Sequence, residues 1–241
     1  MIVKPIASTL LDDYALRQIV PDYEVRSDQF VADVDALSEF AGRNCYKAWG
    51  KKNPKTAQNH GYLGQILDHK HYSVQEHGSV SFYIDGVSRA LMAELTRHRH
   101  LSFSINSQRY IDYANTAPVV HPAFEGDEIA VADLQEHYKQ CIAKYEAKVA
   151  ELKDKGLKNK QAREAARQYL PECAPVGMVV TGNLRAWREV IAKRFHEAAD
   201  AEICRLASLL LSHLKVIAPA TFQDFSDEPL TYERGDGEKK P

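Results

Sequence analysis

The sequence has few cysteines, no long apolar run and little net charge. Its four cysteines are far apart in 241 residues and form no CxxC pair, which argues against a zinc ribbon or a disulfide framework and predicts reduced, cytoplasmic thiols. No stretch approaches the ~20 apolar residues of a membrane span, and the N-terminus lacks a signal-peptide core, so we expect no membrane association and no export. A formal charge of −2 argues against a protein whose whole surface binds nucleic acid, but it allows a local basic pocket.

Apolar residues make up 44% of the chain, enough for a substantial core. Apolar spacings near three and four predict long helices over residues 129–152 and 197–216, while β-branched or alternating runs predict strands in 1–11, 80–84 and 176–181. We therefore predict an α+β fold in which a small, mostly antiparallel sheet packs with several long helices. We expect one domain over residues 1–226 and a polar, disordered tail over 227–241.

Positive charge is concentrated in Arg97–Tyr110, RHRHLSFSINSQRY. Residues 87–97 predict an amphipathic helix whose last turn holds the RHR, where cations complement the helix dipole. That effect explains one or two of the cations. Beyond Arg99 the serines and Asn106 favour an irregular loop across which the outer arginines face each other. Guanidinium groups on a loop suit phosphate, so an anion site is favoured over a solvated basic surface.

A second basic pattern follows the apolar run at 176–181. Thr181 or Asn183 is suited to cap a helix that begins with Arg185 and Arg188. Basic residues in a first turn oppose the helix dipole, so local stability does not explain them and an anionic ligand would.

The segment Arg97–Tyr110 resembles the signature of the flavin-dependent thymidylate synthases, an RHR followed after seven residues by Ser, one residue and Arg. Matching elements extend from about His71 to Phe225. The resemblance implies a methyltransferase that converts dUMP to dTMP, with 5,10-methylenetetrahydrofolate as one-carbon donor and FAD as a hydride carrier reduced by NADPH. It also implies a homotetramer with active sites at the subunit interfaces.

The resemblance further implies roles for individual residues. Arg194 would polarise the uracil ring and is the predicted catalytic residue. The residues implied to bind dUMP are Glu94, Arg97, Ser107, Gln108, Arg109, Arg167 and Arg194. Those implied to bind FAD are His77, Ser79, Arg97, His98, Arg99, Asn183, Leu184 and Arg185. The chain departs from the family pattern at Ile105, where Glu or Gln is common, and at Ala198, where a histidine is common.

Two other classes of function stay open on the residues alone. A non-catalytic nucleotide- or RNA-binding module could use the basic loop, with Phe103 and Tyr110 stacking on bases. A metal-dependent hydrolase could use the histidines at 69, 71 and 77, but no HExxH or HxxxH pair places two imidazoles on one helical face, so we predict no metal. A histidine that caps the following strand is the alternative for His77. A visible flavin spectrum would distinguish the synthase from both rivals.

Overall fold

The structure is a computed structural model that describes residues 1–21, 31–49 and 53–231. Within these residues the chain forms strands β1 (Ile2–Ser8), β2 (Ser79–Ser88), β3 (Ser102–Ile105) and β4 (Pro175–Asn183). The helices are α1 (Asp13–Ile19), α2 (Asp33–Tyr46), α3 (Asn59–Asp68), α4 (Arg89–Leu95), α5 (Glu128–Asp154), α6 (Asn159–Ala166), α7 (Leu184–Arg194) and α8 (Ala201–Ile217). Short 3-10 turns occupy Tyr72–Glu76, Pro122–Phe124 and Arg167–Tyr169. None of the described helices has the length and apolar character needed to cross a membrane.

The four strands form one antiparallel sheet in the order β1-β2-β4-β3. The backbone N–H of Thr9 donates to the carbonyl of Ser79 at 3.0 Å, while Met1 lies beside Gly86, so β1 and β2 run in opposite directions. Alternate residues of β2 point into the core, as the sequence pattern predicts for a strand with one buried face. The predicted α+β fold with a small antiparallel sheet is confirmed.

Contacts divide the chain into two compact units. Unit one comprises Met1–Val3 and Tyr83–Val180. A core cluster of this unit lies where α5 packs on α6, and it is built around Tyr113, Tyr138, Ile142, Tyr145, Ala166 and Ala174.

Unit two comprises Lys4–Phe82 and Thr181–Pro241. Helices α7 and α8 pack on each other in this unit. Trp187 of α7 is fully buried, meets Phe82 edge to face with 5.1 Å between ring centroids, and donates its indole N–H to the carbonyl of Val80 at 3.0 Å. These contacts fix the start of α7, which carries several predicted site residues.

One predicted element boundary is wrong. The last helix begins at Ala201, with Asp200 as its N-cap, and not at Glu197. The reason is pairing with a distant segment. The backbone N–H of Glu197 donates to the carbonyl of Leu230, and the N–H of Leu230 donates to the carbonyl of Phe195.

Other expectations fall partly outside the described residues. The spacing of Phe30, Val34, Leu37 and Ala41 predicts a helix face with Asp28 as its N-cap. Asp28 lies outside the described residues, and the structure begins this helix, α2, at Asp33. Most of the predicted tail, residues 232–241, is also outside. Leu230 within that tail forms an isolated parallel bridge with His196. The single-domain organisation over residues 1–226 stays a prediction.

Candidate active site

The RHR triplet lies in a tight turn after α4. The backbone N–H of His98 donates to Leu95 O at 3.1 Å, and that of Leu101 donates to His98 O at 3.2 Å. His98 is buried, whereas Arg97 and Arg99 on either side of it are exposed. The buried imidazole of His98 therefore anchors the turn, while the guanidinium groups of Arg97 and Arg99 lie at the surface. This geometry suits an anionic ligand.

The segment after the RHR contains a strand, so the predicted irregular loop is wrong over residues 102–105. Ser102–Ile105 form β3, and the backbone N–H of Asn106 donates to the carbonyl of Gly177 in β4 at 2.9 Å. Pairing with β4 satisfies backbone groups that the serines would otherwise bond locally.

A turn after β3 carries Ser107, Gln108 and Arg109. The carbonyl of Ser107 accepts backbone hydrogen bonds from Tyr110 and Ile111, both at 3.0 Å, and its hydroxyl oxygen accepts a long one from Arg109 N at 3.4 Å. Gln108 is buried, whereas Ser107 and Arg109 are half-buried. The hydroxyl proton of Ser107 remains a donor for a ligand.

Charged partners from α6 surround this turn. Glu164 Oε2 lies 2.8 Å from Arg109 Nε, and Arg163 donates to the carbonyl of Tyr110 and to the carboxylate of Asp112, both at 2.6 Å. Arg163 thus supports the turn. Arg167, the arginine implied to bind the nucleotide, lies exposed in the 3-10 turn that follows α6.

Tyr110, at the end of the signature, has a lowered pKa. A hydrogen bond from Lys160 lowers the pKa of its exposed hydroxyl, with the charges of Lys160 and Arg109 acting in the same direction. Glu94, also implied to bind dUMP, is half-buried in the last turn of α4.

In unit two the structure brings together the two elements implied to bind FAD. The backbone N–H of Leu184 donates to Gly78 O at 2.9 Å, and Arg185 forms an ion pair with Glu76. His77 is exposed at the end of the 3-10 turn, and Ser79, which begins β2, is bonded through its backbone to Thr9. The residues around His77 therefore lie against the start of α7.

Asn183 is the N-cap of α7, one of the two caps that the sequence predicts. Its Oδ1 accepts from the backbone N–H of Ala186 at 2.8 Å. Because the oxygen is committed to the helix, the Nδ2 group is the end of the amide that suits a ligand acceptor. Leu184 is fully buried and contributes packing at this position.

The ligand explanation for Arg188 is wrong. Its guanidinium donates to both carboxylate oxygens of Asp224 at 2.7 Å and to Thr221 O at 2.5 Å, and it stacks on Phe225 at 4.7 Å from the ring centroid. Arg188 is the fifth residue of α7, beyond the first turn, and a tertiary ion pair balances its charge. Sequence gives no signal for this pairing, because Asp224 lies 36 residues away.

A cavity of about 310 Å³ opens beside Arg185 in unit two. Its wall includes Tyr72, Gln75 and Phe225. Gln75 is fully buried, and neither polar atom of its amide has a hydrogen-bond partner in the described part of the chain. Aromatic rings beside an unsatisfied amide and a guanidinium suit a planar, polar ligand.

Arg194 is half-buried in the last turn of α7. It follows Arg185 by nine residues, which corresponds to ~13.5 Å along an α-helix and about half a turn around it. The helix therefore presents Arg185 and Arg194 on opposite sides.

Among the described residues no group of three or more His, Cys, Asp or Glu side chains could hold a metal ion. His69 and His71 lie near each other, with 5.8 Å between ring centroids, and His77 is exposed. Of the three histidines in the sequence pattern, His69 and His71 therefore form a pair of neighbouring rings at the end of α3.

Comparison with known proteins identifies the family. Residues 29–220 match the family model described as thymidylate synthase complementing protein. The chain is 49% identical over 244 residues to a probable flavin-dependent thymidylate synthase of Mycobacterium phage L5, covering 96% of this chain and 100% of that protein. It is 50% identical over 201 residues to the flavin-dependent thymidylate synthase of Mycobacterium tuberculosis H37Rv, covering 79% of each chain. The chain belongs to the flavin-dependent thymidylate synthase family.

The fold agrees with this family. The crystal structure of thymidylate synthase X from Helicobacter pylori with FAD and dUMP superposes with a TM-score of 0.65 at 20% identity, covering 93% of this chain and 98% of that one. The predicted family, enzyme class and flavin dependence are confirmed.

Two departures from the family pattern have defined places in the structure. Ile105 is half-buried at the end of β3, where it supplies no polar contact. Ala198 lies between α7 and α8, and its backbone N–H donates to His196 Nδ1 at 3.1 Å. That bond places the proton of a neutral His196 ring on Nε2.

Sequence reasoning missed several partners of this synthase family site. Glu164 contacts Arg109, and Glu76 pairs with Arg185. Gln75 had no sequence signal, since a polar residue in a short turn is ordinarily solvated.

Proposed function

We propose that this member of the flavin-dependent thymidylate synthase family converts dUMP to dTMP. 5,10-Methylenetetrahydrofolate supplies the one-carbon unit, and FAD reduced by NADPH supplies the hydride. The observation that carries the proposal is the signature turn, in which Arg97 and Arg99 flank a buried His98 in a chain half identical to named synthases.

The dUMP site that we propose uses Glu94, Arg97, Ser107, Gln108, Arg109, Arg167 and Arg194. Guanidinium groups keep their charge at any working pH and bind phosphate oxygens in pairs, so they suit a nucleotide monophosphate. The outward arginines of the signature turn and the donor hydroxyl of Ser107 support this assignment.

The FAD site that we propose uses His77, Ser79, Arg97, His98, Arg99, Asn183, Leu184 and Arg185. The contact between the residues around His77 and the start of α7 supports a shared role, and the cavity beside Arg185 fits a planar ligand. When bound, FAD carries the hydride transfer, while the protein holds and orients the reacting groups. Buried Leu184 keeps Asn183 and Arg185 in place.

Arg194 is the catalytic residue that we propose. Its guanidinium would donate to a pyrimidine carbonyl as that oxygen gains negative charge. One such donor is worth about 3–4 kcal/mol, or about two to three orders of magnitude in rate. The half-buried position of Arg194 supports this role because partial exclusion of water strengthens the interaction.

We further propose a cytoplasmic homotetramer with active sites at subunit interfaces. The opposite directions of Arg185 and Arg194 on α7 support it, because one helix would then serve two active sites. All four cysteines are free thiols, which fits a reducing compartment.

Three measurements test the proposal: the visible spectrum, enzyme assays and the mass of the assembly. Purified protein should show flavin absorption near one FAD per chain, and it should release tritium from 5-tritiated dUMP and form dTMP only when the folate donor is present. NADPH should support turnover, and sedimentation should give a tetramer. A colourless protein that binds oligonucleotides in a salt-sensitive way would overturn the proposal.

The role of Arg194 is tested with Arg194→Ala. Turnover should fall by about two to three orders of magnitude while FAD stays bound. Lys193→Ala is the matched control, since Lys193 is the exposed neighbour on the same helical turn and should leave turnover near that of the wild type. Loss of FAD from Arg194→Ala would contradict the assignment.

A further inference from the structure

A fully buried amide lines the cavity beside Arg185 in unit two. Gln75 belongs to the 3-10 turn Tyr72–Glu76, which packs on α7. It is 0% exposed, and among the described residues neither its Nε2 nor its Oε1 has a hydrogen-bond partner. Folded proteins pair the great majority of their buried polar atoms, because an unpaired one has lost its hydrogen bonds to water. Both ends of the amide therefore suit a ligand in the cavity of about 310 Å³ that Gln75 lines.

Two aromatic rings form walls of the same cavity. The guanidinium carbon of Arg188 lies 5.6 Å from the ring centroid of Tyr72 and 4.7 Å from that of Phe225, so one side chain holds both rings. Asp224 fixes the guanidinium in turn, through two bonds of 2.7 Å. Aromatic walls beside an unpaired amide suit a flat heteroaromatic group, which stacks on the rings and pairs its edge with the amide.

The charges around the cavity favour an uncharged ring over a phosphate. Arg185 is paired with Glu76, and Arg188 is paired with Asp224. Glu189 adds a further carboxylate to the wall. Both arginines thus have a negative charge beside them, so the cavity itself offers an anion little net attraction.

We propose that Gln75 is a specificity-determining residue of the FAD site, whose amide pairs with an uncharged ring of the cofactor that carries a hydrogen-bond donor next to an acceptor. The inference rests on the proposed FAD site, to which Arg185 of the same cavity belongs. FAD has two rings of this kind. Adenine offers its 6-amino group beside a ring nitrogen, and isoalloxazine offers N3–H beside a carbonyl. In either case Nε2 of Gln75 donates to the acceptor and Oε1 accepts from the donor.

The first test is Gln75→Met, which keeps the length of the side chain and removes both polar ends. The Kd for FAD is measured by titration calorimetry on the full chain after its cofactor has been removed. It should rise about 30-fold, because two neutral hydrogen bonds are lost. Should this variant fail to fold, Gln75→Leu serves instead, since it also removes both polar ends. An unchanged Kd for FAD would overturn the proposal.

Thermal unfolding separates a ligand contact from a structural one. Without FAD, Gln75→Met should melt at the temperature of the wild type or above it, since it removes a buried amide that has no partner among the described residues. With FAD, the rise in melting temperature should be smaller for the variant, because a ligand that binds more weakly stabilises less. A variant that is less stable without FAD but binds it as the wild type does would show that Gln75 is structural, and it would overturn the proposal.

Asn59→Leu is the matched control, because Asn59 is a buried amide of the same unit that has protein partners. Its Nδ2 donates to the carbonyl of Asp35 at 3.1 Å and to Glu39 Oε2 at 2.9 Å. This variant should melt at a lower temperature without FAD and keep the wild-type Kd. Gln65→Met, on the exposed side of α3, should change neither quantity. An equal rise in Kd for the Asn59 and Gln75 variants would overturn the proposal, because it would indicate a general effect of core damage.

Two fragments of the cofactor identify the ring. FMN lacks adenine, and ADP lacks isoalloxazine. If Gln75 pairs with the flavin ring, Gln75→Met should weaken binding of FMN but not of ADP, and it should shift the flavin absorption bands. If Gln75 pairs with adenine, the variant should weaken binding of ADP but not of FMN. Equal affinities of wild type and variant for FAD and both fragments would overturn this inference alone, whereas a wild type that binds neither FAD nor FMN would overturn the proposed function.

Discussion

Glu164 Oε2 lies 2.8 Å from Arg109 Nε, at the turn that holds the proposed phosphate ligands. The distance is that of an ion pair, but among the described residues the Nε–H has no aligned hydrogen-bond acceptor. Both side chains are partly exposed, and such pairs are worth about 0–1 kcal/mol. Glu164 therefore contributes little to stability and places a negative charge beside a guanidinium proposed to bind phosphate.

Glu164→Gln should strengthen dUMP binding. Removing the carboxylate leaves Arg109 its full charge, so we expect the Kd for dUMP to fall by about two- to fivefold at low salt, with a smaller change at high salt. The free energy of unfolding should change by less than about 1 kcal/mol. Titration calorimetry at two salt concentrations measures the first effect, and urea unfolding measures the second.

The control for this variant is Glu151→Gln. Glu151 is also an acid of unit one, and it pairs with Lys148 and Lys155 on α5. It should leave dUMP binding unchanged. Weaker dUMP binding by Glu164→Gln would contradict the prediction and would show that Glu164 orients Arg109.

Arg188 is predicted to be a structural residue. Its side chain is 10% exposed and donates to both oxygens of Asp224. Arg188→Lys cannot keep the paired geometry, so it should lower the free energy of unfolding by about 2 kcal/mol. The expected loss is smaller than for a fully buried ion pair, because the side chain of Asp224 is 43% exposed. Thermal unfolding of the FAD-loaded protein measures the loss.

Lys193→Gln provides the comparison for Arg188. Lys193 pairs with Glu189 on the same helix, but it is exposed, so its replacement should change the free energy of unfolding by less than about 0.5 kcal/mol. Equal melting temperatures for Arg188→Lys and Lys193→Gln would refute the structural assignment.

The parts predictable from sequence are those set by local patterns. The spacing of RHR, Ser107 and Arg109 indicates the family, alternating apolar residues predict β2, and Asn183 has the side chain and position of a helix cap. Each signal lies within one short stretch of the chain.

The parts that sequence could not predict depend on pairing across the chain. β3 looked like a loop because serine side chains favour local hydrogen bonds with the backbone. Pairing with β4, about 70 residues later, makes it a strand. Arg188 looked like a ligand residue because its partner Asp224 is remote. Long-range partners decide both cases, and no local spacing encodes them.

Asp35 is predicted to make stability depend on pH. It is fully buried and accepts hydrogen bonds from Ala220 N at 2.8 Å and from Thr221 N and Oγ1 at 3.2 and 2.5 Å. Desolvation raises its pKa to about 6 from 3.8, and the hydrogen bonds from Thr221 and Ala220 oppose that rise. The folded state thus binds more protons than the unfolded state between these two values.

The raised pKa of Asp35 sets the direction in which stability changes with pH. The stabilisation from protonating Asp35 is fully present below about pH 4 and is lost as the pH rises through about 6, up to about 3 kcal/mol. Asp35→Asn should remove this dependence, so the stability gap between wild type and variant should be larger at pH 4 than at pH 7. Urea unfolding across this range measures it. Exposed Asp68→Asn should show no such change in the gap, and a gap that narrows toward pH 4 would contradict the sign.

Gly177 is predicted to be required where β4 meets β3. A Cβ at this position would lie 2.8 Å from both Asn106 Nδ2 and Asp85 Oδ1, closer than real Cβ atoms approach. Gly177→Ala must therefore displace these short side chains. The carbonyl of Gly177 accepts from the backbone N–H of Asn106, so the displacement would reach the residue before Ser107.

We expect Gly177→Ala to lower the free energy of unfolding by about 1–3 kcal/mol, the cost of overpacking, and to weaken dUMP binding by moving Ser107. Gly64→Ala is the control, because the nearest atom to its Cβ is Gln223 Oε1 at an ordinary 3.4 Å and alanine favours the helix by up to about 1 kcal/mol. Adding Asn106→Ala to Gly177→Ala should restore part of the lost stability, because one of the two close contacts disappears. No recovery in the double variant would place the strain on Asp85 or on the backbone, and wild-type stability of Gly177→Ala would show that the sheet accommodates the methyl group.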